Sequence, residues 1–142
     1  MTNIINAIKF NEIPIGYSKE FIIRIDNQML ENFAKISGDH NPLHMDNNYA
    51  QTTKFQKRVC HGMLLASFFS RLIGMYIPGK LALYFSQSLN FRSPCFIGDV
   101  VTVKGKVLEK RDTTKMITIK TEIFNQNSIC LVDGIAKVIV RE

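Results

Sequence analysis

From Leu81 to Val140 the chain reads as strand after strand, and this run limits the fold more than any other feature. Leu81–Phe91, Val100–Glu109, Met116–Phe124 and Ile129–Val140 are rich in β-branched and aromatic residues. Ser93-Pro94, Gly98-Asp99, Arg111-Asp112 and Asn125-Gln126-Asn127 separate them. Connections this short cannot carry a crossover, so successive strands must run antiparallel. Such a sheet needs something to bury its apolar face. The segment from His61 to Tyr76 supplies it. Met63, Leu64, Leu65, Phe68, Phe69, Leu72, Ile73, Met75 and Tyr76 place apolar side chains on nearly every side of a helix, the pattern of a buried one. Pro78-Gly79 stops it. The expectation is an α+β fold, an antiparallel sheet wrapped around one long central helix.

The N-terminal part is simpler. The first eleven residues form a mixed arm, and Phe21–Ile25 is β-branched and strand-like. Asp26 can cap a helix over Asn27 to Ile36, with Met29, Leu30, Phe33 and Ile36 on one face and Gly38 ending it. Asp46 can cap a short second helix, with Tyr49 and Ala50 on its buried side. No repeat, linker or low-complexity segment divides the 142 residues, which favours a single domain over 1–142.

Between the two helical stretches lies Ser37-Gly38-Asp39-His40-Asn41-Pro42-Leu43-His44-Met45-Asp46. Asp39 and His44 cannot share a helix face, because five residues is about 500° of rotation. Pro42 would also break the ladder between them. They are expected on a turn, where a carboxylate and an imidazole can converge. Beyond it His61-Gly62-Met63 opens the apolar helix, whose first N–H groups are free to bind developing negative charge. An acid/base pair beside such a helix start suits proton transfer at a carbonyl compound. Taken alone, Asp39 also fits an ordinary turn residue bonding its own backbone, and His44 a loop histidine.

Other chemistries find less support. His40 and His44 have zinc-pair spacing, but Pro42 forbids the helix such a pair needs. Cys60 adjoins His61, yet neighbouring residues seldom face one another, and a buried thiol is the simpler reading. Ser67 and Ser70 lack a G-x-S-x-G context. The net charge of +6 is scattered, with no basic arm, so nucleic acid is not the expected partner. Three widely spaced cysteines, Cys60, Cys95 and Cys130, argue against disulfides and for a reducing, cytoplasmic setting. The apolar stretch from Met63 to Ile77 is broken by Ser67, Ser70, Arg71 and Gly74 and is too short to span a membrane.

The motif Ser37–Asp46, then Ala50, Thr53 and Phe55, then His61-Gly62-Met63-Leu64, resembles the hydratase motif of the (R)-specific enoyl-CoA hydratases, the MaoC-like dehydratases of the hot-dog superfamily. Gln87-Ser88-Leu89-Asn90-Phe91, Pro94, Phe96 and Gly98-Asp99 are similar to that family too, so the resemblance covers roughly Ile15 to Arg141. It implies a hot-dog fold and reversible syn addition of water to a trans-2-enoyl thioester, giving the (3R)-3-hydroxyacyl thioester. It implies Asp39 and His44 as the catalytic pair and the Gly62 N–H as donor to the thioester oxygen. Asn41 matches a residue that orders the active-site turn, Ser70 a serine near the carboxylate, and His61 is expected to shape the approach to Gly62. No metal or organic cofactor is implied; a CoA thioester is substrate. A homodimer is expected, which could bring Arg71 or Arg92 near the partner's substrate phosphates. Acyl-carrier-protein dehydratase and non-catalytic acyl-thioester binding remain alternative readings. A thioesterase is disfavoured, since the helix from Gly62 to Tyr76 has no Asp or Glu.

Overall fold

The computed structural model describes residues 4–142. Six strands form one sheet: β1 Ser18–Arg24, β2 Ala82–Gln87, β3 Asn90–Phe91, β4 Val100–Arg111, β5 Met116–Phe124 and β6 Cys130–Val140. The order is β1-β4-β5-β6-β2, with β3 also on β6, and every pair is antiparallel. The expected strand Leu81–Phe91 is divided at Ser88-Leu89, although β2 and β3 follow the same path along β6. There the Ser88 carbonyl presses on Gly134, where an added Cβ would lie 1.8 Å from the oxygen.

Local signals set the helices. In α1, Asn27–Ser37, the Asp26 carboxylate accepts the Met29 N–H at 2.9 Å, and Gly38 closes the end with φ 79°. A left-handed residue there suits glycine. Leu30 and Ala34 are the buried positions of α1, whereas Ile36 is 86% exposed. Ile36 lies roughly 200° round the helix from Ala34, so it cannot share its face. Two short helices follow, α2 Pro42–Met45 and α3 Asn47–Gln51. Asp46 caps α3 as expected, and Ala50 is buried, but Tyr49 is half exposed.

The central helix α4, Gly62–Arg71, runs on into a π-helical turn, Leu72–Tyr76. Leu64, Leu65, Phe69, Leu72 and Ile73 are buried against the sheet. The helix is not covered on all sides, however: Met63, Ser67, Ser70 and Arg71 are exposed. The sheet wraps one side, α1 meets the N-terminal end, and one stripe of α4 stays open. The core has two lobes. Ile25, Leu30, Leu65, Phe69, Val103, Ile123 and Leu131 fill the one beneath α1. Phe10, Ile13, Ile73, Ile77, Val107, Ile119 and Val138 fill the one at the far end of α4.

Candidate active site

Three short polar side chains in succession build the segment after α1. Ser37 Oγ accepts the Asp39 N–H at 3.1 Å, an Asp39 carboxylate oxygen accepts the Asn41 N–H at 3.1 Å, and Asn41 Oδ1 accepts the Leu43 N–H at 3.0 Å. The last bond caps α2, with Pro42 in its first turn. Proline is tolerated there because its missing N–H would have no helical partner. The segment is thus a turn followed by one helical turn: Pro42 starts the helix that carries His44, where the sequence alone led us to expect a turn throughout. Asn41 holds the start of this helical turn by capping it.

His44 points its Nδ1 at the Val59 carbonyl oxygen, 2.6 Å away. A carbonyl only accepts, so Nδ1 carries the hydrogen and Nε2 presents a lone pair. Arg58 Nε donates to the His44 carbonyl at 2.6 Å, tying α2 to the strand-like segment before α4. His61 is 2% exposed, and its Nε2–H donates to the Asp39 main-chain carbonyl at 3.0 Å. Polar side-chain atoms of Asp39, His44 and His61 all lie within 4.8 Å of one another. Burial above all pushes the His61 pKa below 6.5; His44 and Arg58 push the same way, while Asp39 and its carbonyl oppose them.

Gly62 is the first residue of α4. The first helical bonds run from Leu64 and Leu65 to the His61 carbonyl, and His61 makes no side-chain cap. The Gly62 and Met63 N–H groups therefore begin the helix without intrahelical partners, at the positive end of its dipole. A cavity of about 430 Å³ opens beside them. His44, Gly62 and Met63 face it together with an apolar wall of Phe55, Cys60, Leu65, Phe91, Cys95 and Leu131, and with Arg92 and Ser93. The neighbouring Cys60 thiol, and then burial, push the Cys95 thiol well above its ordinary pKa. A thiol pushed upward in this way is a poor nucleophile.

The structure thus brings Asp39, His44, His61, Gly62 and Asn41 into one region. It does not bring Ser70 there within this chain: Ser70 is exposed on α4, two turns past Gly62, and does not line the cavity. His40 is exposed and stands outside the cluster. Arg71 lies over the Phe21 ring at 4.1 Å, and Arg92 pairs with Asp133 at 3.1 Å while facing the cavity. Sequence reasoning missed Val59 and Arg58. Val59 acts through its carbonyl, which no side-chain pattern reveals, and Arg58 read as one more scattered positive charge.

An antiparallel sheet wrapped round one central helix defines a hot-dog fold. This chain belongs to the MaoC-like domain family, which matches residues 9–127. It is 46% identical over 126 residues to an (R)-specific enoyl-CoA hydratase of Aeromonas caviae, covering 89% of this chain and 94% of that one. It is 39% identical to an (R)-specific enoyl-CoA hydratase of Rhodospirillum rubrum, over 92% and 90% of the two chains. Its fold is similar to that of unliganded R-hydratase PhaJ1 from Pseudomonas aeruginosa, with a TM-score of 0.93 and 36% identity over 97% of this chain and 88% of that one. Among the described residues no helix is long and apolar enough to cross a membrane.

Proposed function

We propose that this chain is a hydro-lyase that reversibly adds water to a trans-2-enoyl-CoA to give the (3R)-3-hydroxyacyl-CoA. The observation that carries the reading is the convergence of the Asp39 carboxylate and the His44 imidazole within 4.8 Å, beside the open N-terminus of α4. Asp39 and the His44 Nε2 lone pair hold a water between them. One of the pair takes a proton from it as its oxygen bonds to C3. Charge moves onto the thioester oxygen, where the Gly62 N–H receives it; a donor of this kind is worth about 10²–10³ in rate. The pair returns a proton to C2 on the same face, which makes the addition syn. The apolar wall of the cavity suits the acyl chain.

The reaction needs no metal or organic cofactor. The Asp39/His44 pair would move the protons and the Gly62 N–H would receive the developing charge. Three free cysteines fit a cytoplasmic setting. The functional unit is a homodimer. The exposed Leu83 and Phe85 of edge strand β2 and the open stripe of α4 are the surfaces a second copy would cover.

The test is loss of the conjugated-thioester absorbance with crotonyl-CoA and longer trans-2-enoyl-CoAs, with chiral analysis of the product. Turnover that EDTA leaves unchanged, giving the 3R isomer, is expected. No turnover with any enoyl-CoA, or a 3S product, overturns the reading.

A further inference from the structure

His61 stands at the N-cap position of α4, yet its side chain makes no capping bond. Helix starts favour Ser, Thr, Asp or Asn, whose side chains accept the orphan N–H groups; this imidazole reaches away from its own helix instead. Its Nε2–H crosses 22 residues of sequence to the Asp39 carbonyl, 3.0 Å away. Its face lies on the His44 ring, with centroids 4.1 Å apart. Phe33 of α1 contacts the same imidazole, at 4.9 Å and 56°. One buried ring therefore touches both residues of the acid/base pair, each in a different way.

The other nitrogen, Nδ1, is buried with no hydrogen-bond partner. With Nε2 donating to a carbonyl, Nδ1 carries the lone pair of a neutral ring. A proton there would sit without an acceptor, against the His44 ring and in the field of Arg58, with only Asp39 to offset it. Leaving a buried polar atom unpaired costs stability. An aliphatic or phenyl side chain would leave no such nitrogen but would give up the donor to the Asp39 carbonyl, so that bond is what a histidine supplies here.

We propose that His61 is a positioning residue that acts as the neutral Nε2–H imidazole and holds Asp39 and His44 in register with each other. Its hydrogen bond pins the main chain that carries the Asp39 carboxylate. Its face limits rotation of the His44 ring, whose Nδ1–H is already committed to Val59. The inference rests on reading Asp39 and His44 as the acid/base pair.

Two variants separate the contacts. His61→Gln keeps an amide donor at about the reach of Nε2 and loses the ring. His61→Phe keeps the ring and loses the donor. On crotonyl-CoA, His61→Phe is expected to lower kcat roughly tenfold to a hundredfold, the scale of a small misplacement of reacting groups. KM should stay within about threefold, while the melting temperature reads only the balance between the unpaired nitrogen removed and the Nε2–H bond to Asp39 lost. His61→Gln should recover part of the lost kcat. A nitrogen-15 NMR spectrum of His44 gives a readout independent of turnover. The wild-type ring should report the Nδ1–H tautomer, and His61→Phe should show a mixed tautomer. Unchanged kcat and unchanged His44 signals in His61→Phe overturn the proposal. So does a variant that only melts earlier, with kcat and tautomer intact. If His61→Phe does not fold, the same comparison is made between His61→Gln and wild type. If wild type turns over no enoyl thioester, the hydratase reading fails, while the His44 spectrum still decides whether His61 positions the pair.

Discussion

The Phe91 ring occupies the space in which a side chain at Gly62 would begin: a Cβ built on Gly62 would lie 2.7 Å from Phe91 Cδ1 and 2.8 Å from Cε1. The contact joins β3 to the first residue of the central helix, beside the cavity. Glycine at position 62 therefore lets an aromatic wall approach the N–H that the proposed mechanism uses.

Gly62→Ala is expected to keep the fold, because Phe91 is half exposed and its ring can swing outward. Because the N–H is retained, it should lower kcat/KM by less than about 10²–10³, the worth of removing one oxyanion donor. Gly62→Ala with Phe91→Ala should recover part of the loss. Steady-state kinetics on both variants checks this, and a double variant no better than the single would show that the Phe91 contact is not the cause.

Asp39→Asn isolates charge from geometry. An asparagine oxygen can still accept the Asn41 N–H, so the turn should persist. A loss of about 10²–10⁴ in kcat is expected, as for a missing general acid or base, and His44→Ala should lose a similar amount. The double variant should be little worse than either single if both groups serve one water. Circular dichroism should show all three folded; near-normal kcat in folded Asp39→Asn would remove Asp39 from the mechanism.

His61 predicts an acid limb in stability. Its folded pKa is lowered from 6.5, so below 6.5 the unfolded chain binds the proton that the folded chain refuses. Stability from this group is fully present above 6.5 and is lost as pH falls toward the lowered folded value. Urea midpoints should be level above about pH 7.5, a unit past that pKa, and decline on acidification. In His61→Gln the decline should be shallower. Identical pH profiles for the two proteins would mean that another group controls acid unfolding.

Light scattering at micromolar concentration is expected to give twice the 16.2 kDa chain mass. Phe85→Lys on edge strand β2 should shift the equilibrium toward monomer, since a charge on an edge opposes strand pairing. Full activity in a monomeric sample would show that pairing is not needed for turnover.

Much of this was legible in the chain itself. Asp26 and Gly38 bracket α1, Met116–Phe124 is a strand at both named ends, and Asp46 caps α3. These are local effects, an oxygen meeting an N–H three residues on or side chains alternating across a pleat, so nearby residues suffice to read them. The Asp39–His44 turn could be read in the same way, because the two residues lie five apart around Pro42. Tertiary packing decided the rest. Which ring nitrogen His44 keeps free depends on the Val59 carbonyl 15 residues away, and the anchoring of Asp39 depends on His61 across 22. The open stripe of Met63, Ser67 and Ser70 on a helix that reads as apolar all round was also settled there. A sheet can wrap only one side of a helix, and a hydrophobicity pattern records which residues avoid water without saying which neighbour covers them.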